Sequence, residues 1–266
     1  NDIANGIAEE VGGSQKGFAD MMNQRAKDLG CTNTHFVNAH GLHSEEHYTC
    51  AKDMAIITRE AIKNPLFREF AGTTHYTCPK TNKVDEERYW YNHNQMIQPE
   101  AMYYYVGCLG GKNGFTEDAL NTLVTYAQKD GRTLICVEIR VNGKDKAYSE
   151  SHAMLDYAFE NFENISIPVI DENKTRCELL GVDYLGMLGT LRTEDLNQTA
   201  MKGEGTVKVS VPKGTDSSKV TCSGENGGFD YSFNGWNVGH SEASFSPLFY
   251  QVPVPQTVPL TYTEQE

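Results

Sequence analysis

Residues 107–141 read GCLGGKNGFTEDALNTLVTYAQKDGRTLICVEIRV, and the rest of the chain is best read outward from them. Leu123–Gln128 and Thr133–Val141 are rich in β-branched and aromatic residues, and Lys129-Asp130-Gly131 between them is a hairpin turn signal, which predicts two antiparallel strands. Upstream, Gly107 to Gly114 is turn-rich and invites a phosphate-loop reading. That reading fails twice: Gly107 is one residue too close to Gly111-Lys112, and Asn113 stands where Ser or Thr must hold magnesium. Lys112, Asn113 and Gly114 suggest a lysine presented at a strand edge, beside a glycine that lets a ligand approach the backbone. A solvated turn lysine is the plainer alternative.

The flanks differ in texture. Upstream, Ile3, Ile7 and Val11, with Ala4 and Ala8, recur at four-residue spacing and stop at Gly12-Gly13, which predicts a first amphipathic helix. Phe18, Met21, Met22, Ala26 and Leu29 mark a second, stopped by Gly30. A third runs from about Ala51 to Ile62, carrying Met54, Ile57, Ala61 and Ile62 inward, with Pro65 just beyond. Tyr76 to Trp90 is polar with scattered β-formers, punctuated by Asn92-His93-Asn94. Tyr148 to Phe162 reads as a helix that closes the first half. From Ile165 onward, Thr206–Val211, Lys219–Cys222, Phe229–Phe233 and Leu248–Val254 alternate with Gly, Pro, Asn and Ser turns, the texture of a small all-β module.

Charge narrows the function classes. The 266 residues carry a net charge of −13, with acidic residues spread through both halves. No basic stripe exists to neutralise phosphates, so bulk electrostatic binding of nucleic acid is disfavoured, as is adsorption to an anionic membrane face. No apolar run approaches the length of a membrane span. The chain opens on Asn1 rather than Met, so a preceding segment is expected.

Two residue sets look like metal ligands and read otherwise. The seven cysteines (31, 50, 78, 108, 136, 177 and 222) have no CxxC pair, which excludes a zinc ribbon, and they read mostly as free, buried thiols. Thr32–Thr49 holds four of the eight histidines, and His40, His43 and His47 have a metal-like density. Gly41 and the polar context favour a hydrogen-bonded loop over a zinc site.

Several stretches together resemble the serine-type D-alanyl-D-alanine carboxypeptidases, the low-molecular-mass penicillin-binding proteins. NDIANGIAEEVGGSQKGFADMMNQRAKDLGCTNTHFVNAHGL resembles that family's run from the Asn of its Ser-x-Asn motif. Tyr48-Thr49-Cys50-Ala51-Lys52-Asp53-Met54-Ala55 resembles its next helix start. Gly111-Lys112-Asn113-Gly114-Phe115-Thr116 falls where the family's Lys-Thr-Gly strand belongs, and Ile135 to Phe159 resembles the following strand and helix. The resemblance covers roughly residues 1–162.

It implies an α+β fold, with a β-lactamase/transpeptidase-like antiparallel sheet and helices over residues 1–164 and a small β-rich domain over 165–266. It implies acyl-enzyme chemistry: a serine attacks the penultimate carbonyl of a peptide ending in D-Ala-D-Ala, a lysine takes its proton, and water releases the shortened peptide. Residue by residue, Asn1 matches the Asn of Ser-x-Asn, and Lys112 and Gly114 match the third motif, with Asn113 replacing its Thr. Phe115 and Thr116 continue that strand beside the substrate. Asn142 sits where many members place an arginine for the substrate carboxylate. Arg140, on a strand, would face the same side and offer a substitute cation.

The Ser-x-x-Lys nucleophile motif has no credible match in the chain. Ser14-Gln15-Lys16 is one residue short, Ser217-Ser218-Lys219 lies in the β-rich tail, and Ser210-Val211-Pro212-Lys213 has a proline where a helix start is required. The motif is therefore expected before Asn1, together with two N-terminal strands whose absence would leave apolar surface uncovered. The resemblance implies no metal or organic cofactor. It implies peptidoglycan stem peptides and β-lactams as partners, and an extracytoplasmic location in the bacterial envelope. The Pro-rich Val252–Pro259 reads as a stalk before a membrane anchor outside this chain. Two alternatives stand beside the carboxypeptidase: an impaired relative that binds cell-wall peptide or a protein partner, raised by Asn113 and Asn142, and a β-lactamase, which the tail and loop pattern fit less well.

Overall fold

The computed structural model describes residues 2–168, 201–202, 206–225, 228–242 and 244–245. The chain divides into two compact units, Asn1–Glu160 and Asn161–Glu266.

The first unit opens with helices α1 (Asp2–Gly12) and α2 (Gln15–Asp28). The turn between them is tight. A Cβ on Gly12 would lie 2.4 Å from the Phe18 nitrogen, and Gly13 takes a φ of 68°. Ser14 caps α2, its Oγ accepting from the Gly17 N–H at 2.9 Å. The apolar stripe of α1 lies on the opposite side from expectation: Ile3, Ile7 and Val11 are exposed, and only Ala8 is buried.

Helix α3 (Ala51–Ala61) follows the histidine-bearing loop. Its apolar side chains Met54, Ile57, Ala61 and Ile62 are only partly buried, while Asp53 and Thr58 are the buried pair. Asp53 explains this. Its Oδ2 accepts from the Asn33 N–H at 2.7 Å and the Thr34 hydroxyl at 2.8 Å, tying the loop to the first turn of the helix. Burial alone would raise the Asp53 pKa, but these hydrogen bonds outweigh it and hold the carboxyl below its ordinary value. Its contribution to stability is therefore complete above the ordinary carboxylate pKa and is lost as pH falls through the lower folded value. Asp53→Asn is expected to cost about 2 kcal/mol at neutral pH and to flatten the stability curve below roughly pH 4. Urea midpoints measured from neutral to strongly acidic pH check this; an unchanged acid slope would assign the acid sensitivity to other groups.

Pro65 does not merely follow α3. Asn64 caps a new helix, α4 (Pro65–Gly72), with its Oδ1 accepting from the Leu66 N–H at 2.9 Å and Pro65 at the first helical position. A hairpin of β1 (His75–Cys78) and β2 (Arg88–Tyr91) comes next, then a short 3-10 turn, Gln95–Ile97. The central sheet is β3 (Cys108–Thr116), β4 (Leu120–Lys129) and β5 (Arg132–Val141), antiparallel in the order β3-β4-β5. Asp130 and Gly131 have φ of 52° and 74°, the paired positive values of a tight hairpin turn.

Helix α5 (Lys144–Asn161) covers one face of this sheet. Leu123, Ala127, Cys136 and Val141 pack with Ala147, Tyr148, Leu155 and Phe159 in the main core. Arg132 closes the helix end, donating to the carbonyls of Ala158 and Phe159 at 3.1 and 3.0 Å, where a cation also meets the negative end of the helix dipole. On the other face α3 lies against β5 and β4, and α4 against β3. The approach of α4 needs small residues: a Cβ on Gly72 would lie 2.6 Å from the Leu109 carbonyl oxygen.

The second unit is all-β among its described residues, apart from one 3-10 turn, Ser217–Lys219. β6 (Phe162–Pro168) pairs with β8 (Thr206–Pro212), and β7 (Met201–Lys202) with β12 (Ser244–Phe245). β9 (Thr221–Glu225), β10 (Gly228–Phe233) and β11 (Trp236–Glu242) form a three-stranded sheet. Ile167, Val209, Val211, Phe229 and Tyr231 form its core. The strand expected at Lys219 begins only at Thr221, because Asp216 caps the preceding turn through the Ser218 N–H. Leu248–Val254 lies outside the described residues, as do Cys177 and Asn1. No described helix is long and apolar enough to cross a membrane. Among the described cysteines, expected mostly to be buried, only Cys136 is fully so; Cys31, Cys50, Cys78 and Cys108 are partly buried thiols.

Candidate functional site

Lys112, Asn113 and Gly114 lie in register opposite Val124, Leu123 and Thr122 on the outermost strand of the central sheet. Because β3 pairs with β4 on one side and with no described strand on the other, alternate N–H and C=O groups along it point outward. Strand alternation sends neighbouring side chains to opposite faces. Lys112 lines a groove of about 460 Å3 whose other wall is Phe67, Phe70 and Ala71 of α4 with Tyr91, Asn92 and His93. Asn113 borders that groove and a second one, of about 240 Å3, shared with Gly114, Leu123, Ala147 and Tyr148.

Lys112 keeps access to solvent, yet partial desolvation lowers its pKa from the ordinary lysine value. Its ammonium folds back to donate to the carbonyl of Asn113. The cation is thus held along the strand edge.

Two asparagines hold the wall opposite β3 in place. Asn92 Nδ2 donates to the Thr73 and Ala71 carbonyls at 3.1 and 3.4 Å, fastening this segment to the end of α4, and its Oδ1 accepts from the Asn94 N–H at 3.0 Å. Asn94 is fully buried and caps the 3-10 turn, its Oδ1 accepting from the Met96 N–H at 3.0 Å. Tyr148 reaches across from α5 and donates its hydroxyl to the His93 carbonyl at 3.0 Å, with its ring stacked on Tyr103 at 5.2 Å. Burial raises the Tyr148 pKa, so it remains a donor. Sequence patterning noticed Asn92-His93-Asn94 only as punctuation. Two asparagines two residues apart were the available signal, since each closes a local turn.

The remaining candidates separate. Phe115 is exposed and lines the smaller groove beside Asn113 and Gly114, and Thr116 closes the β3–β4 turn, its Oγ1 accepting from the Ala119 N–H at 3.0 Å. Asn142 sits on a bend between β5 and α5 and lines neither groove. The expectation that Arg140 shares a strand face with Asn142 fails: β5 ends at Val141, and Arg140 has a φ of 60° within an irregularity of the β4–β5 register. A bulge, with Ile139 and Arg140 set against Thr122 alone, replaces the simple alternation. Ser210 lies in the middle of the paired run of β8.

The histidine loop is a hydrogen-bonded structure. His35 pairs with Tyr48 and its Nδ1 lies 2.6 Å from the Glu46 carbonyl, while His47 Nδ1 accepts from the Val37 N–H at 3.2 Å. His43 Nδ1 stands 3.6 Å from Asp118 in the β3–β4 turn. Among the described residues no three His, Cys, Asp or Glu side chains are placed to hold a metal ion.

A sequence model of the D-alanyl-D-alanine carboxypeptidase family matches residues 1–143. The D-alanyl-D-alanine carboxypeptidase DacF of Bacillus subtilis is 33% identical over 175 residues, covering 66% of this chain and 43% of that protein. DacC of Escherichia coli is 29% identical over 168 residues, 62% of this chain and 39% of its own. The chain therefore spans about two fifths of the length of these curated relatives. Among solved structures, penicillin binding protein 5 from Haemophilus influenzae superposes with a TM-score of 0.64 at 22% identity, over 92% of this chain and 69% of that one. A D-alanyl-D-alanine carboxypeptidase from Mycobacterium tuberculosis gives 0.53 at 28% identity, over 60% and 59%. The fold is thus that of the penicillin-binding proteins, an α+β arrangement of helices on an antiparallel sheet, as the sequence implied.

Proposed function

Because this chain belongs to the D-alanyl-D-alanine carboxypeptidase family, we propose that the protein containing it removes the terminal D-Ala from peptidoglycan stem peptides through a serine acyl-enzyme. The observation that carries this reading is Lys112: a cation on an edge strand that no described strand covers, lining a groove. A peptide laid along β3 gains main-chain hydrogen bonds as an added strand. Lys112 then sets positive charge beside the substrate's terminal carboxylate and stabilises the negative charge that develops during acyl transfer. Asn113 offers an amide donor at the next position. In the family pattern the nucleophilic serine attacks the penultimate carbonyl, its lysine accepts the proton, and water releases the acyl group; no residue of 1–266 is assigned to that pair. The same chemistry makes β-lactams acylating inhibitors, and the substrate places the work outside the cytoplasmic membrane of a bacterium.

Intact-protein mass spectrometry of the full-length gene product with and without a penicillin tests the reading. One drug mass added is the expected result. A folded sample that gains none at high drug concentration would favour a binding protein that has kept the fold and lost the chemistry.

Asn113 permits a finer test. A Thr hydroxyl is more compact than the amide, and one good hydrogen bond to a carboxylate contributes about 1.5–3 kcal/mol. Asn113→Thr in the full-length protein is expected to raise kcat/KM on a D-Ala-D-Ala peptide by about tenfold. A fall instead would show that the native amide is itself the group used.

A further inference from the structure

The β1–β2 hairpin exposes aromatic rings on both of its faces. Tyr76 and Trp90 are cross-strand partners stacked at 6.0 Å, and they remain 54% and 46% exposed. Tyr91, 70% exposed, pairs with His75 at 6.5 Å on the other face. A two-stranded ribbon gains little stability by showing such rings to water, and a contiguous exposed apolar patch marks a binding surface. Phe70 of α4 adjoins them, also 70% exposed. Together these residues border a groove of about 400 Å3 that shares Phe70, Tyr91 and Asn92 with the Lys112 groove, so the two adjoin.

Charge sorts the occupants. Residues 75–91 carry three basic and three acidic side chains (Lys80, Lys83, Arg88; Asp85, Glu86, Glu87), a neutral surface on a chain of net −13. Arg88 lies over the Trp90 ring at 5.5 Å, and Lys80 is paired with Asp85 at 3.2 Å. A nucleic acid or an anionic lipid has no cation excess to meet. Flat rings with polar edges, lined by Glu69, Thr73 and Asn92, suit instead the apolar CH faces and equatorial polar groups of pyranose rings.

We propose that the β1–β2 hairpin is a subsite for the uncharged N-acetylated amino-sugar strand that bears the stem peptide, with Tyr76 and Trp90 as its stacking pair. The identity of the polymer rests on the carboxypeptidase reading above; the patch and its place beside the Lys112 groove do not. A substrate whose peptide enters the Lys112 groove brings its sugar chain out of that groove, where these rings stand.

The test is saturation-transfer NMR of the full-length protein with chitotetraose, a peptide-free oligomer of N-acetylglucosamine. Transfer to the acetyl and ring protons is expected, cut at least fivefold in Trp90→Ala and in Tyr76→Ala and largely restored in Trp90→Phe. Penicillin acylation of the same samples should be unchanged within twofold, because neither ring lines the Lys112 groove. No transfer in the native protein overturns the subsite, and so does transfer that both alanine variants retain. Self-association that Trp90→Ala abolishes, without any transfer to the sugar, overturns it in favour of a second copy of the chain. Sugar binding that depends on these rings in a protein that takes no penicillin adduct supports the subsite while removing the reaction assigned to the neighbouring groove.

Discussion

Lys112→Ala in the full-length protein is expected to slow penicillin acylation by at least about a hundredfold, the usual cost of losing one preorganised charge-stabilising donor. The substitution should leave folding almost untouched. Lys112 is solvent-accessible and its ammonium reaches only the neighbouring Asn113 carbonyl, and surface changes of this kind stay within about 0.5 kcal/mol. Rate and stability therefore separate, which a merely structural lysine would not allow. The pH profile gives a second handle. Desolvation lowers the Lys112 pKa, and the active form is the cation, so acylation should fall as pH rises through that lowered value. The alkaline limb is then expected below the roughly 10.4 of an unperturbed lysine. Lys112→Arg, which cannot lose its charge in this range, should keep part of the rate and lose that limb. Acylation retained by Lys112→Ala would remove β3 from the catalytic assignment altogether.

The sequence showed its strands where local chemistry and tertiary structure agree. β4 and β5 were legible because Lys129-Asp130-Gly131 makes the turn that two β-rich runs need, and the observed positive φ at Asp130 and Gly131 is that turn. β3 was harder. CLGGKNGFT is glycine-rich and has little strand propensity, so the residues suggested no more than a lysine at a strand edge, and the resemblance pointed to the strand itself. Its glycines are required by neighbours that composition cannot reveal, α4 on one side and Asn94 on the other. Helix α4 was hidden because Asn64-Pro65 reads equally as an ending and as a cap. The aromatic hairpin escaped because neither face is buried, so no alternation of polar and apolar residues marks it. Asp53 and Asn94, both buried and both holding loops in place, look in the sequence like ordinary polar residues. A polar side chain earns burial only through partners distant in sequence or fixed by local geometry.

Gly111→Ala is expected to be among the most damaging single changes available in this unit, about 3 kcal/mol or more, from one added methyl group. Its Cβ would stand 2.2 Å from the Val124 carbonyl oxygen and 2.9 Å from Asn94 Nδ2. The first neighbour is strand backbone and cannot swing aside as a flexible side chain does. The second belongs to a fully buried residue whose Oδ1 is committed to the Met96 N–H. Relief must come from moving β3 off β4, which also shifts Lys112 at the next position, so acylation should fall with stability. Gly131→Ala separates sterics from backbone strain. Nothing lies within 4 Å of a Cβ there, but the φ of 74° penalises any L side chain, at a cost of roughly 1–2 kcal/mol. Gly131 is in the turn far along β4 from Lys112, so that variant should lose some stability and keep its acylation rate. Denaturant midpoints and penicillin acylation rates on both full-length variants decide the matter. Equal losses of stability in the two would mean that Gly111 is not held by its neighbours, and a Gly111→Ala protein with native acylation would mean that the β3 edge need not be held so closely to β4 for the lysine to work.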